Sequence, residues 1–228
     1  MKAREGWQAQ LRQLSPSAWP DFLVEHSGLP GPRANTELAI AFAELADPAQ
    51  IDALIGSEDE YLAVCGTVAL GARASDPVAN VTLRSLASDP RWRVREAVAI
   101  GLQLLGDEDP HELERIVRAW ASDRDPLVQR AAAAAICEPR LLRTPYDAAT
   151  AVAVCQMATA ALAQRSQQSR RDPAVRTLRQ GLGYCWSVAV AADPEPGLAV
   201  FRALDDTDAD VAWIIAENLR KKRLARLL

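Results

Sequence analysis

The strings SDPRWRVREA (residues 88–97), SDRDPLVQRA (122–131) and DDTDADVAWI (205–214) repeat one short pattern, in which acidic turn residues precede a valine. Behind each valine, apolar and small residues recur at offsets of three, four, seven or eight positions. This spacing predicts a helix that is buried along one face. Five such stripes begin 32, 34, 47 and 36 residues apart, and three of these intervals have the period of a two-helix repeat. The stripes start at Leu62, Val94, Val128, Val175 and Val211.

The prolines indicate where the helices begin. Seven of the 14 prolines directly follow an aspartate. An aspartate side chain accepts hydrogen bonds from the first N–H groups of a helix, and proline suits the first helical position. Each Asp-Pro pair therefore predicts a helix start. The pairs begin at Asp47, Asp76, Asp89, Asp109, Asp125, Asp172 and Asp193.

The composition of the 228 residues agrees with a helical fold. Apolar residues make up 49% of the chain, yet only twelve residues are aromatic and 43 are alanine. Small side chains favour closely packed helices over sandwiches or barrels, which rely on β-branched and aromatic residues. The uncharged stretch 148–164 is too short and too weakly apolar for a membrane span, so we expect a buried helix there and no membrane association.

The repeated pattern resembles the HEAT family of helical repeats, in which an Asp-containing turn leads to a second helix that opens with Val and often Arg. Asp89, Val94 and Arg95 match this pattern, as do Asp123, Val128 and Arg130 in the next copy. The resemblance implies an all-α fold, a right-handed α-α superhelix (solenoid) of five to six helical hairpins. It covers residues 47–228, and we expect residues 1–46 to form capping helices. The 47-residue interval fits if residues 148–164 form an extended first helix before a polar loop.

The sequence lacks the motifs of metal binding, nucleotide binding and catalysis. The two histidines are not near a cysteine, and neither metal-ligand spacing nor a complete phosphate-loop motif occurs. We therefore expect no metal, no cofactor and no catalytic residue. The glycines of Gly66–Gly71 are interpreted as points of close helix approach. The four cysteines are scattered along the sequence, at Cys65, Cys137, Cys155 and Cys185, so we expect reduced, buried thiols. The first ten residues lack the apolar core of a signal peptide. Together these features predict a cytoplasmic protein.

The modest net charge of −4 hides two basic segments. Segment 165–179 carries +4 and segment 220–226 carries +5, which leaves −13 on the rest of the chain. In stacked hairpins, the residues just after each anchor valine are predicted to point away from the buried stripe. These positions, with the terminal cluster, form the candidate binding set: Arg95, Glu96, Gln129, Arg130, Arg176, Trp213, Arg220, Lys221, Lys222 and Arg223.

The tryptophans on the same helices allow two interpretations. Trp92, Trp186 and Trp213 could line a basic groove that binds phosphates and stacks bases, or Trp92 and Trp186 could pack between helices. Likewise, the arginines of the candidate binding set could form a solvent-exposed helix face without any ligand.

A second resemblance bears on function. Residues 120–123 with 127–132 resemble a repeat of AlkD-type DNA alkylation-repair glycosylases, which implies a groove for duplex DNA. The aspartate that this family places after its tryptophans is missing here, because Arg93, Val94 and Arg95 follow Trp92 and the nearest acid is Glu96. We expect a non-enzymatic scaffold that docks a protein partner on its concave face or on helix 148–164. The alternative is a nucleic-acid-binding protein that uses segments 165–179 and 220–226, and any enzymatic activity would be glycosylase-like.

Overall fold

The computed structural model describes residues 2–227, which contain fourteen α-helices and no β-strand. The predicted all-α fold of helical hairpins is confirmed. Met1 and Leu228, the outer ends of the two predicted domains, lie outside the described residues. The helices are α1 (Lys2–Gln13), α2 (Trp19–Glu25), α3 (Thr36–Ala43), α4 (Pro48–Ile55), α5 (Glu60–Gly71), α6 (Pro77–Leu86), α7 (Trp92–Glu108), α8 (Pro110–Ala121), α9 (Pro126–Ile136), α10 (Pro145–Ala163), α11 (Pro173–Ala192), α12 (Pro194–Arg202), α13 (Ala209–Leu219) and α14 (Lys222–Ala225).

Six of the seven Asp-Pro pairs start a helix as predicted. Five of these aspartates accept a hydrogen bond from a backbone N–H of the first turn, which satisfies a donor that the helix itself leaves unpaired. Asp193 precedes α12 without such a bond. The five capping residues are Asp47, Asp76, Asp109, Asp125 and Asp172.

The pair Asp89-Pro90 is the exception, and the prediction of a helix start there is wrong by two residues. The Asp89 carboxylate accepts from the backbone N–H of Arg91 at 2.8 Å and from its guanidinium at 2.9 Å. This local clamp forms a turn, and α7 begins only at Trp92.

The residues up to Leu105 form one compact unit, in which α5 is central. Helix α5 packs against α2, α3, α4 and α6, and it is buried along nearly its whole length. At its end, a Cβ built on Gly71 would lie 2.6 Å from the Cα atom of Gly101 on α7. The backbones of α5 and α7 therefore touch, which requires glycine on both sides. The interpretation of the glycines as points of close approach is confirmed here.

The N-terminal segment belongs to the same unit. Helix α1, which the sequence pattern did not predict, packs against α3, and α3 packs against α5. Arg4 of α1 reaches Glu37 at 3.3 Å and Glu44 at 3.2 Å. The role of residues 1–46 as a cap for an array 47–228 stays a prediction.

The residues from Gly106 onward form the second compact unit, in which α11 packs against α9, α10, α12, α13 and α14. A buried amide joins α13 to α11. The Asn218 side chain donates to the carbonyls of Leu182 at 2.9 Å and Ile214 at 2.8 Å, and it accepts from the backbone N–H of Ser187 at 2.8 Å. All of its polar atoms are thus paired inside the core.

The uncharged stretch 148–164 is a buried helix as predicted, since all but its last residue lies within the 19-residue α10, much of which is buried. The four cysteines are also buried and free of disulfides. Scattered in the sequence, Cys137 and Cys155 are neighbours in space, because their Sγ atoms lie 3.5 Å apart.

Candidate functional site

A groove of about 300 Å³ opens on the first unit, between α5, α7 and the loop that leads into α3. We call it the Trp92 groove. Its principal lining residues are Arg33, Val64, Trp92, Arg93, Glu96 and Ile100.

Helix geometry explains how α7 contributes its part of the groove. Trp92, Glu96 and Ile100 are spaced by four residues, so they lie on one face of α7 over two turns, about 12 Å. Trp92 begins the helix and has 50% of its surface exposed. Val64 of α5 is nearly buried and provides an apolar base. An exposed indole beside aliphatic side chains is suited to apolar contact.

Arg93 fixes the geometry of the groove through three different contacts. Its guanidinium lies 4.5 Å from the ring centroid of Trp92, close enough for a cation–π interaction. It pairs with Glu60 of α5 at 2.9 Å and donates to the carbonyl of Gly31 in the loop at 3.3 Å. One side chain thus ties together the indole, α5 and the loop.

The loop wall is also held by a buried tyrosine. The hydroxyl of Tyr61 donates to the Asn35 carbonyl at 2.7 Å, and the Asn35 amide donates to the His26 carbonyl at 3.0 Å. Burial raises the pKa of Tyr61 well above its usual range, so the hydroxyl stays protonated and remains a donor. Gly28 takes a positive φ of 75°, which favours glycine at this turn.

Comparison with known families identifies the repeat. A family model described as HEAT repeats matches residues 48–137, which run from the first residue of α4 to just beyond α9. Residues 48–137 therefore consist of HEAT repeats. No curated protein and no solved structure gives a match. The resemblance to AlkD-type glycosylases thus gains no support from these comparisons.

The matched HEAT segment contains three helical hairpins, α4/α5, α6/α7 and α8/α9. The Trp92 groove lies on the second helices of the first two of these hairpins. In the second unit, the second helices α9, α11 and α13 pack side by side, as HEAT-like stacking requires.

Two predicted binding residues lie on α7. Glu96 lines the Trp92 groove. Arg95 is half-buried and donates to the carbonyls of Asp89 at 2.6 Å and Pro90 at 3.0 Å. Its guanidinium therefore closes the turn before α7, and the structure assigns it a local structural role.

Gln129 does not point away from the buried stripe, so that expectation is wrong. Only 1% of its surface is exposed, and its amide donates to the carbonyls of Asp123 at 2.8 Å and Ala121 at 3.3 Å. The side chain folds back because the turn before α9 leaves carbonyl groups that need donors.

Three other predicted residues lie on neighbouring second helices of the second unit. Arg130 packs against α11, since a Cβ on Gly181 would lie 3.2 Å from its Cγ atom. Arg176 is exposed on α11. Trp213 is half-buried, and the guanidinium of Arg179 lies 4.6 Å from its ring centroid. Arginine side chains thus pack on both sides of α11.

Acidic residues partly neutralise basic segment 165–179. Arg170 pairs with Asp208 at 2.7 Å and Asp210 at 3.3 Å, and Arg179 pairs with Asp210 at 2.7 Å. Arg165 donates to the Arg124 carbonyl at 2.9 Å. Partial burial tends to raise the pKa of Asp208, but the hydrogen bond and charge of Arg170, together with the backbone N–H groups of Asp210 and Val211, outweigh it and lower that pKa. Arg165 and Arg170 thus tie the loop between α10 and α11 to neighbouring elements, and Arg179 ties α11 to α13.

Most of the candidate residues in the terminal basic cluster contact other side chains of the second unit. Arg220 pairs with Glu217 at 2.7 Å and Lys221 pairs with it at 3.7 Å, whereas Lys222 is exposed. Arg223 donates to the Tyr184 hydroxyl at 2.9 Å.

Trp186 is a core residue, so the stacking interpretation is wrong for it. It is fully buried, and its indole N–H donates to Thr159 at 3.0 Å.

Sequence reasoning also missed Arg33, Val64 and Ile100 as groove residues. Arg33 follows the Gly- and Pro-rich segment 28–32, and that segment was the available signal for a fixed loop beside the helices.

Two further results concern the described residues, 2–227. No group of three His, Cys, Asp or Glu side chains among them could hold a metal ion. None of their helices is both long and apolar enough to cross a membrane.

Proposed function

We propose that this HEAT-repeat protein is a non-enzymatic binding or scaffold protein that docks a protein partner through the Trp92 groove. HEAT repeats generally mediate protein interactions or scaffolding. The observation that carries the proposal is a half-exposed tryptophan in a groove of about 300 Å³, beside aliphatic side chains and a fixed loop.

Simple area arithmetic supports a contact of useful strength. A tryptophan can bury up to about 250 Å² in a protein contact, so covering the exposed half removes about 100 Å² from water. At about 25 cal/mol per Å² this contributes roughly 2–3 kcal/mol before the costs of association. That is the range of an interface anchor residue.

The charge pattern argues against the nucleic-acid alternative. Arg170 pairs with Asp208 and Asp210, Arg179 pairs with Asp210, and Arg95 closes a turn. Cations that are already paired with carboxylates release few counterions on binding phosphates. These paired arginines are therefore poor candidates for phosphate binding, which favours the protein-docking proposal.

The test is a pull-down from nuclease-treated extract with wild type, Trp92→Ala and the control Tyr146→Ala. Tyr146 is an equally prominent aromatic, 59% exposed, on the second unit. We expect a defined protein to be retained by wild type and by the control, and to be reduced at least tenfold with Trp92→Ala.

Duplex binding is measured in parallel. Recovery of nucleic acid alone, with affinity for a short duplex that falls steeply with salt and is weakened by Arg130→Glu with Arg176→Glu, would overturn the proposal.

A further inference from the structure

We propose that the Trp92 groove recognises a short protein segment in which large apolar side chains lie next to a carboxylate. This inference rests on the proposed docking function and specifies the chemistry of the partner. Its first support is size. A cavity of about 150 Å³ can hold a benzene ring, so about 300 Å³ accommodates two groups of that size.

The lining favours apolar groups at the centre of the contact. Val64 is 5% exposed and Ile100 is half-buried, and both face the same groove as the indole of Trp92. Because Trp92 and Ile100 are about 12 Å apart along α7, the groove spans three to four residues of an extended segment or two turns of a helix. A single apolar side chain would leave much of this length unfilled.

The charges of the groove favour an acid at its edge. Arg93 already pairs with Glu60, and Glu96 already interacts with another group. Arg33 is exposed, and among residues 2–227 its side chain has no hydrogen bond or ion pair. A carboxylate of the partner that approaches Arg33 would form a charge-assisted hydrogen bond.

The groove is also fixed before any partner arrives. Arg93 and Tyr61 hold the loop that carries Arg33, through the carbonyls of Gly31 and Asn35. A preformed surface loses little conformational freedom on binding, so a short segment can bind without ordering the loop first.

The experiment selects peptides from a random displayed library on the full chain, with counter-selection on Trp92→Ala. The best peptide is then synthesised and titrated against wild type, Trp92→Ala, Arg33→Glu and the control Arg171→Glu. Arg171 is an exposed arginine of the second unit, so its reversal changes net charge by the same amount.

We expect the selected peptides to combine aromatic or large aliphatic residues with Asp or Glu. Trp92→Ala should weaken binding at least tenfold, and Arg33→Glu should weaken it about tenfold with little change for Arg171→Glu. A peptide with lysine in place of its acid should bind Arg33→Glu better than wild type, which a merely misfolded variant would not do.

Three results would overturn the inference: no enrichment, enrichment without apolar or acidic residues, or equal binding to wild type and Trp92→Ala. The proposed function fails by a different result, a pull-down that recovers nucleic acid alone. If the pull-down retains a protein on wild type and Trp92→Ala alike, a docking role remains and only the assignment to this groove is lost.

Discussion

Replacing Gly101 with alanine places a methyl group where α5 and α7 touch. The new Cβ would lie 2.7 Å from the Cα atom of Gly71 and 2.7 Å from the carbonyl oxygen of Val68. Carbon atoms pack best at about 3.5–4.0 Å, so the helices must separate by about 1 Å. Both contacts are with backbone, which cannot rotate away as a side chain could.

The expected magnitude follows from two opposing effects. Overpacking of this kind costs about 1–3 kcal/mol, and alanine returns up to about 1 kcal/mol through its higher helix propensity. We expect a net loss of about 1–2 kcal/mol, which for a chain of this size lowers the Tm by about 2–8 °C. Because Ile100 is adjacent, the separation should also widen the Trp92 groove.

The assay is thermal and urea unfolding followed by far-UV circular dichroism, with Gly6→Ala as the matched control. Gly6 is an exposed glycine of α1, and a Cβ there would meet nothing within 4 Å. This control should be neutral or gain about 0.5–1 kcal/mol. If Gly101→Ala were as stable as Gly6→Ala, the reasoning from close backbone contact would be refuted.

Three further predictions concern stability and reactivity. Asn218→Ala removes the acceptor of the Ser187 N–H and a donor to the Leu182 carbonyl inside the core, so the free energy of unfolding should fall by about 1–3 kcal/mol; an unchanged urea midpoint would contradict this. The hydrogen bond from Arg91 holds the pKa of Asp89 below its ordinary value of 3.8, so its stabilisation is present above that value and is lost as the pH falls toward the lower folded value. The Tm of Asp89→Asn should accordingly change less than that of wild type between about pH 5 and pH 3, and parallel curves would count against the clamp. Burial raises the pKa of the Cys65 thiol, so iodoacetamide should alkylate it much more slowly in the native chain than in urea, as mass spectrometry of the peptide would show; equal rates would disprove protection.

Helix starts and buried stripes were predictable because their causes are local. An aspartate followed by proline starts a helix in the chain that comes directly after it, and this held at six of seven pairs, five of them with a capping hydrogen bond. The exception, Asp89, also has a local cause, since Arg91 two residues later competes for the carboxylate. The anchors Val94, Val128 and Val211 are all buried, as their spacing predicts.

The candidate site was much less predictable. Trp92 and Trp186 both lie on second helices, yet one is half-exposed and the other is fully buried. Periodicity places a residue on a helix face, but the neighbouring elements decide whether that face is covered. The wall that Arg33 adds to the groove comes from a loop outside any repeat stripe.

The sequence alone therefore determines that this chain is an array of helical hairpins, because capping and hydrophobic periodicity act within one helix and its turn. Tertiary structure alone decides which charges remain available to a partner. Arg170 and Asp210 are 40 residues apart in the sequence, and only the packing of one hairpin on the next brings their side chains within 3.3 Å. An ion pair between distant segments depends on the rotation and spacing of whole helices, which no local pattern encodes.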